Sequence, residues 1–266
     1  MTSIEIVKRP KKSLGQNFLV DENISRKTVN LLDIDPNDEF LEIGSGYGSL
    51  TKYIFEKTKY LTCVEIDSTI AKKIANEYPS LKIINDDILN VSLSKISSNQ
   101  KKIRIIGNIP YNITSQIIFH VIEQREFVKD LTIMIQLEVA QRIIATPKTK
   151  TYGILSVVTQ AYSEPSLLFK IPPTCFFPKP RVESGIIHFD FSKTHNSQIK
   201  NHNIFRKLVR TTFAKRRKIL SNSIKDISDE FDHKTINFNF TKRAEELSVK
   251  EFIELSNIIS EKYKDL

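Results

Sequence analysis

Five residues near the middle of the chain, Gly107-Asn108-Ile109-Pro110-Tyr111, combine an amide, a proline and an aromatic ring. An asparagine side-chain oxygen can accept a hydrogen bond from an exocyclic amine. Proline fixes its own φ and so holds neighbouring carbonyls rigidly enough to act as a second acceptor. A tyrosine face offers a nucleobase a stacking platform, worth about 1–3 kcal/mol per base in single-stranded recognition. Together these groups suit a planar amine. A second constellation lies upstream. Glu42-Ile-Gly44-Ser-Gly46-Tyr-Gly48 has the glycine density of a loop that turns tightly beneath a ligand, where a Cβ would obstruct. Its G-x-G-x-G spacing differs from the dinucleotide G-x-G-x-x-G. Glu65 stands 21 residues after Gly44, where an acid can accept from both hydroxyls of a ribose. Asn85-Asp86-Asp87 adds an amide and two acids able to read the amino group of adenine. These groups fit an adenosine cofactor, with NAD and S-adenosylmethionine the two candidates.

Such groups work only if a scaffold brings them to one edge. Phe40–Ile43, Leu61–Ile66, Leu81–Ile84, Ile103–Ile106 and Leu131–Ile135 are short, apolar and β-branched, as buried strands are. Between them, Ser49–Lys57, Thr69–Tyr78, Ser115–Gln124 and Val139–Ala145 repeat apolar residues at helical spacing. The alternation predicts an α/β fold, a parallel sheet covered on both faces. It places the glycine loop, Glu65, Asp87 and Asn108 at successive strand ends. After the polar stretch Ser192–Gln198 the pattern turns helical, with Ile204, Phe205, Leu208, Val209, Thr212 and Phe213 on one face. The reading therefore sets a catalytic domain at 1–191 and a small all-α domain at 201–266.

The chain carries 40 Lys plus Arg against 31 Asp plus Glu, a formal charge of +9, which favours polyanionic partners. The surplus is uneven. Lys8, Arg9, Lys11 and Lys12 crowd the start, and Asn201–Lys225 holds eight cations and no acid. On a helix from Asn203 to Ser221, Arg206, Arg210 and Arg217 fall within about 40° of one another at 100° per residue. Lys207 and Lys218 lie beside them and Arg216 belongs to the same run; such a row can grip phosphates. With only Cys63 and Cys175, a disulfide framework and a structural zinc are excluded, and no metal is expected. The five histidines show no ligand spacing. No apolar run approaches the roughly 18–20 residues that span a bilayer, so no membrane is expected. The first residues lack a signal-peptide core, and about a dozen precede the first motif, too few for a transit peptide; the expected compartment is the cytoplasm.

Asn108-Ile-Pro-Tyr111 resembles the Asn/Asp-Pro-Pro-Tyr motif of amino methyltransferases and, in detail, the Asn-Leu-Pro-Tyr motif of rRNA adenine N6-dimethyltransferases. Lys12-Ser-Leu-Gly-Gln-Asn-Phe-Leu19 resembles that family's N-terminal signature. Glu42–Gly48 resembles its cofactor loop, and Phe177-Pro-Lys-Pro-Arg-Val-Glu-Ser184 its late motif. The resemblance implies a Rossmann-like S-adenosylmethionine-dependent methyltransferase sheet with a small all-α C-terminal domain. By position, Asn17 and Leu19 would contact the cofactor from the N-terminal arm, and Gly44 and Gly46 would lie beneath its amino-acid portion. Glu65, with Ile66, would bind the ribose; Asp87, with Ile88, the adenine. Asn108 would sit between cofactor and substrate and, with Pro110, hold the target amine while Tyr111 and Phe177 stack on the base. Ile109 stands where leucine is common, a near-isosteric change. Tyr152–Val157, Phe213–Leu220 and Arg243–Ser248 resemble signatures of the group that dimethylates two adjacent adenines in the 3′-terminal hairpin of small-subunit (16S) rRNA. The implied partner is that rRNA in a pre-ribosomal particle, bound by a monomer. A large-subunit rRNA methyltransferase of the macrolide-resistance type and a non-catalytic ribosome-assembly factor are the alternatives. A dinucleotide oxidoreductase would leave Asn108–Tyr111 and the basic run without a role.

Overall fold

The structure, a computed structural model, describes residues 10–97, 101–227 and 232–262; Lys8 and Arg9 of the basic start lie outside the described residues. In chain order the N-terminal part runs β1 (Phe18–Leu19), α1 (Glu22–Asn30), β2 (Phe40–Ile43), α2 (Thr51–Lys57), β3 (Leu61–Val64), α3 (Ser68–Glu77) and β4 (Lys82–Ile84). It continues through β5 (Ile103–Asn108), α4 (Thr114–Glu123), β6 (Val128–Gln136), α5 (Leu137–Ile143), α6 (Ile154–Tyr162), β7 (Glu164–Ile171), β8 (Phe176–Phe177) and β9 (Ser184–Asp190). The helices α7 (His202–Ala214), α8 (Leu220–Ser223) and α9 (Val249–Lys262) follow.

Seven strands form one sheet in the order β4-β3-β2-β5-β6-β9-β7. The central pairings, β4 to β3, β3 to β2, β2 to β5 and β5 to β6, are parallel. Every residue of β2 and β3 is buried, as a parallel sheet covered on both faces requires. The chain steps outward from β2 to β4, then returns to lay β5 on the other flank of β2. That reversal is a topological switch point, where the carboxyl ends of diverging strands open a crevice. The sheet is not wholly parallel: β9 runs antiparallel to β6, from Asp130↔Asp190 to Gln136↔Ser184. Neither β7 nor β9 was expected from the sequence. β7 is an edge strand that alternates exposed and half-buried residues and carries Pro165, so it lacks the continuous apolar signature of the central strands. At the end of the sheet away from the crevice, buried Arg104 ties β5 to its surroundings. Its Nε donates to Asp130 (2.9 Å), one terminal nitrogen to Asp38 (2.8 Å) and the other to the Leu32 carbonyl (2.6 Å).

The chain divides into two compact units, one reaching Ala140 and resuming over Ser166–Phe191, the other comprising Gln141–Pro165 and Ser192 onward. The sequence reading kept 141–165 with the sheet; the structure corrects this. The Tyr152 hydroxyl donates to the Leu247 carbonyl (2.9 Å) and Lys148 N–H to that of Glu245 (2.7 Å). Helix α6 packs on α7 and α9, with Tyr162 edge-on to Phe205 at 6.0 Å between ring centres. Asn201 caps α7, its side chain accepting from the N–H groups of Asn203 and Ile204. Helix α7 stops at Ala214 instead of continuing to Ser221. Its buried stripe, Ile204, Phe205, Leu208, Val209 and Thr212, meets only cations at the next turn, and the chain swings away so that Leu220 N–H reaches the Lys242 carbonyl (2.8 Å). Arg217 and Lys218 therefore leave the helical row predicted for them.

Candidate active site

The nine residues expected around the cofactor all line one cleft at the carboxyl ends of β2, β3 and β5. Its floor is the glycine loop. Gly44, Gly46 and Gly48 have φ of +71°, +53° and +79°, left-handed values that L side chains rarely adopt. At Gly46 a Cβ would also stand 3.1 Å from the Phe18 ring, which crosses from the N-terminal arm and packs on Tyr47 at 4.6 Å between ring centres. The loop is thus a backbone cradle that side chains would fill.

Glu65 ends β3 facing this cradle. Burial raises its carboxyl above the usual range, opposed by the N–H groups of Asp67 and Gly46, one donating to each carboxylate oxygen (3.0 and 3.1 Å). Each oxygen retains a lone pair for a ribose hydroxyl. Asn85 donates to the Glu65 carbonyl (2.7 Å) and steadies the turn below. Asp87 caps the short helical turn that begins at Ile88, accepting from Leu89 N–H (2.9 Å). Half-exposed Ile66 and buried Ile88 supply apolar walls on this side of the cleft. The fit to an adenosine cofactor is good on these observations: a cradle for its amino-acid portion, an acid for its ribose, and an acid between apolar walls for its base.

The reaction corner is built by contacts distant in sequence. Asn108 Nδ2 donates to the Asn17 carbonyl at 2.7 Å, which leaves Oδ1 as the amide's acceptor. Gly15, at φ +60°, packs beside Pro110 and Asn112 and lets the arm come that close. The Pro110 carbonyl accepts from Ile113 N–H (3.3 Å) and from the Thr114 hydroxyl (3.4 Å). Ile109 and Pro110 both line the cleft. Tyr111 stands outside the cleft lining, its hydroxyl hydrogen-bonded to Ser184 at 2.6 Å. Burial raises that phenol's pKa, partly offset by Ser184. Phe177 also stands outside the lining, 46% exposed, in a two-strand ladder that pairs it with Phe18.

Several contributors escaped the sequence reading. Asp67 latches the arm: Lys11 Nζ lies 2.9 Å from its carboxylate and Gln16 donates at 3.3 Å. Burial would raise this acid, but Lys11, Thr69 N–H and Gln16 together hold it below its usual range. Glu42, beneath the glycine loop, is fully buried with its carboxyl pushed up to about 7 by desolvation, against donors from Thr51 (2.6 Å) and Cys63 (3.5 Å). Its acidic type was visible, its burial was not. The Ser45 hydroxyl, also in the cleft lining, is buried without a hydrogen-bond partner. Among the described residues no cluster of His, Cys, Asp or Glu could hold a metal ion. No described helix is long and apolar enough to cross a membrane.

The expected phosphate contacts separate into two kinds. Arg210, Arg217 and Lys218 are exposed, and Arg206 is half-buried with a bond to Asn203 Oδ1 (3.3 Å). Arg216 is engaged within the protein: its Nε meets Glu245 at 2.5 Å and a terminal nitrogen donates to the Thr149 carbonyl (3.2 Å).

The sequence profile of the ribosomal RNA adenine dimethylase family matches residues 7–261. Ribosomal RNA small subunit methyltransferase A of Francisella tularensis subsp. novicida is 43% identical over 258 residues, 95% of this chain and 98% of that protein. The protein of the same name from Chlorobium chlorochromatii is 43% identical over 253 residues, 95% and 94% of the two chains. Among solved structures, a dimethyladenosine transferase from Plasmodium falciparum superposes with a TM-score of 0.78 at 24% identity, covering 92% of this chain and 98% of its own. The 23S rRNA methyltransferase ErmE does so at 0.68 and 21%, covering 92% and 100%. These two likenesses show the shared fold. A match over almost the whole sequence makes the chain a member of the ribosomal RNA adenine dimethylase family, which draws its methyl groups from S-adenosylmethionine.

Proposed function

We propose that this chain dimethylates N6 of two adjacent adenosines in the 3′-terminal hairpin of small-subunit (16S) rRNA, working in the cytoplasm on a pre-ribosomal particle. The observation that carries the chemistry is the Asn108 amide, oriented by the Asn17 carbonyl so that its oxygen remains to accept an amine proton. The choice of small over large subunit rests on relatives at 43% identity bearing the small-subunit name and on Tyr152–Val157, Phe213–Leu220 and Arg243–Ser248.

The N6 lone pair of adenine is delocalised into the ring and is a poor nucleophile. Asn108 Oδ1 accepts one amine proton. A main-chain carbonyl of Ile109–Pro110, both in the cleft lining, is the second acceptor. Two acceptors draw the nitrogen toward sp3 geometry and free the lone pair. S-adenosylmethionine, when bound, supplies a methyl group already activated on a sulfonium. Alignment is then the protein's main contribution, worth up to about 7–11 kcal/mol when near-attack geometry is fully realised. The amine turns acidic only after transfer, so no side chain has to act as a base beforehand. To reach the corner the adenine must leave its stack, and Tyr111, fixed through Ser184, with exposed Phe177 offers it ring faces.

The test is incubation with tritiated S-adenosylmethionine and undermethylated small or large ribosomal subunits, followed by nucleoside mapping. Label should appear as N6,N6-dimethyladenosine near the 3′ end of small-subunit rRNA. Label in large subunits alone would overturn the reading in favour of the macrolide-resistance type, and label in neither would remove the activity.

A further inference from the structure

We propose that the loop Thr146–Thr151, between α5 and α6, is a second phosphate-gripping segment, and that Arg216 is the positioning residue that holds it beside the turn after α7. The inference rests on the rRNA reading above. It starts from where the cations of the C-terminal unit are spent. Arg216 faces inward, with Nε on Glu245 and a terminal nitrogen on the Thr149 carbonyl. Glu245 completes the clip from its backbone, its carbonyl accepting Lys148 N–H at 2.7 Å. That bond supports Lys148 at φ +68°, a left-handed value costly for a residue with a side chain. Three chain segments, 146–151, 215–218 and 243–246, are thereby fastened together through one arginine.

The result is a set of exposed cations. Lys148 and Lys150 are exposed on the clipped loop, and Arg217 and Lys218 on the adjoining turn. None of the four has an ion pair or side-chain hydrogen bond among the described residues. Arg216 differs from its neighbours in being half-buried and already paired. A guanidinium held in a bidentate site by a carboxylate and a carbonyl is a poor phosphate ligand, because those donors are occupied. Four unpaired cations from two segments suit a phosphodiester backbone, whose charges recur at a spacing that one short turn cannot match alone.

The experiment measures binding of undermethylated small subunits to the full-length protein over a series of salt concentrations, with S-adenosylhomocysteine affinity as the control. The paired substitution Lys148→Ala and Lys150→Ala should weaken RNA binding at least about tenfold at low salt. It should reduce the slope of log K against log[salt] by about 1.4–1.8, the value for two lost phosphate contacts, and leave the cofactor control unchanged. Glu245→Gln is the discriminating variant. It makes the protein more positive and releases Arg216, so a direct phosphate role for Arg216 requires tighter binding. The clip requires weaker binding and a shallower salt slope, as Lys148 and Lys150 lose their placement. A general loss of stability would move the melting temperature without changing the slope. Wild-type affinity and slope in the lysine variant, or tighter binding by Glu245→Gln, would overturn the loop assignment and leave the methyltransferase reading intact. Failure of the wild-type protein to bind or methylate small subunits would instead remove both.

Discussion

Replacing Asn108 by aspartate tests the reaction corner more sharply than deleting the side chain. In the native protein Nδ2 stands 2.7 Å from the Asn17 carbonyl oxygen, and this bond decides which end of the amide faces the substrate. Asn108→Asp puts a carboxylate oxygen against that carbonyl, acceptor against acceptor. The hydrogen bond is lost and a part-buried carbonyl is left without its donor, a cost of about 1–3 kcal/mol. The side chain must turn away, so alignment worth about that much disappears. At 1.36 kcal/mol per decade this is about 5- to 150-fold in kcat. The assay is single-turnover transfer of tritiated methyl groups to undermethylated small subunits, with S-adenosylhomocysteine affinity measured by calorimetry. Affinity should stay within about tenfold of wild type, as it should for Asn108→Ala. Lowering the pH should partly restore Asn108→Asp, since a protonated carboxyl can again donate to Asn17. If Asn108 contributed only as an acceptor, a carboxylate would be as good or better, and activity within about threefold of wild type would refute the orientation argument.

Three other substitutions probe different parts of the structure. Tyr111→Ala removes the stacking face and should lower kcat/KM for RNA by about 5- to 150-fold, equivalent to 1–3 kcal/mol. Tyr111→Phe keeps the ring and should retain most of that value, while losing about 1–3 kcal/mol of stability to the stranded, buried Ser184 hydroxyl, read by urea denaturation. Glu42 gives a pH signature. Its folded pKa of about 7 lies above the ordinary 4.5, so both states are protonated below 4.5, and stability falls as pH rises through 7, by about 3 kcal/mol in all. Glu42→Gln should flatten that part of the stability–pH curve, and an unchanged slope would contradict the buried, neutral carboxyl. Arg104→Ala leaves Asp38 and Asp130 facing each other across a vacated ion-pair site and should cost about 3–5 kcal/mol in denaturant titrations, as loss of one partner of a buried pair does.

The parallel core and the order of these residues along the cleft were legible because both are local. Each strand carries its own apolar signature, and the glycine loop, Glu65, Asp87 and Asn108 follow their strands directly. What escaped depends on partners far along the chain. The alternating exposure of β7 reflects its place at the sheet edge, which no property of Glu164–Ile171 announces. Helical periodicity carried α7 too far because cations tolerate a helix; the chain leaves it where the buried stripe has nothing further to bury. Arg216 reads as one more cation until Glu245, 29 residues later, takes it up. The Tyr111–Ser184 and Asn17–Asn108 bonds span 73 and 91 residues. The motifs therefore named the candidates, while the hydrogen bonds that orient them, Asn17 to Asn108 and Tyr111 to Ser184, came from the contacts.

The bond between Asn17 and Asn108 has a kinetic consequence for a double modification. Main chain secures the amide, so under the proposed mechanism the corner offers the same pair of oxygens on each visit of the adenosine. A primary amine brings two hydrogens to that pair. The once-modified amine brings one, and its new substituent must face an oxygen or swing clear of it. Successive rounds are thus chemically unequal, and the singly modified nucleoside is the species that should build up when turnover is interrupted.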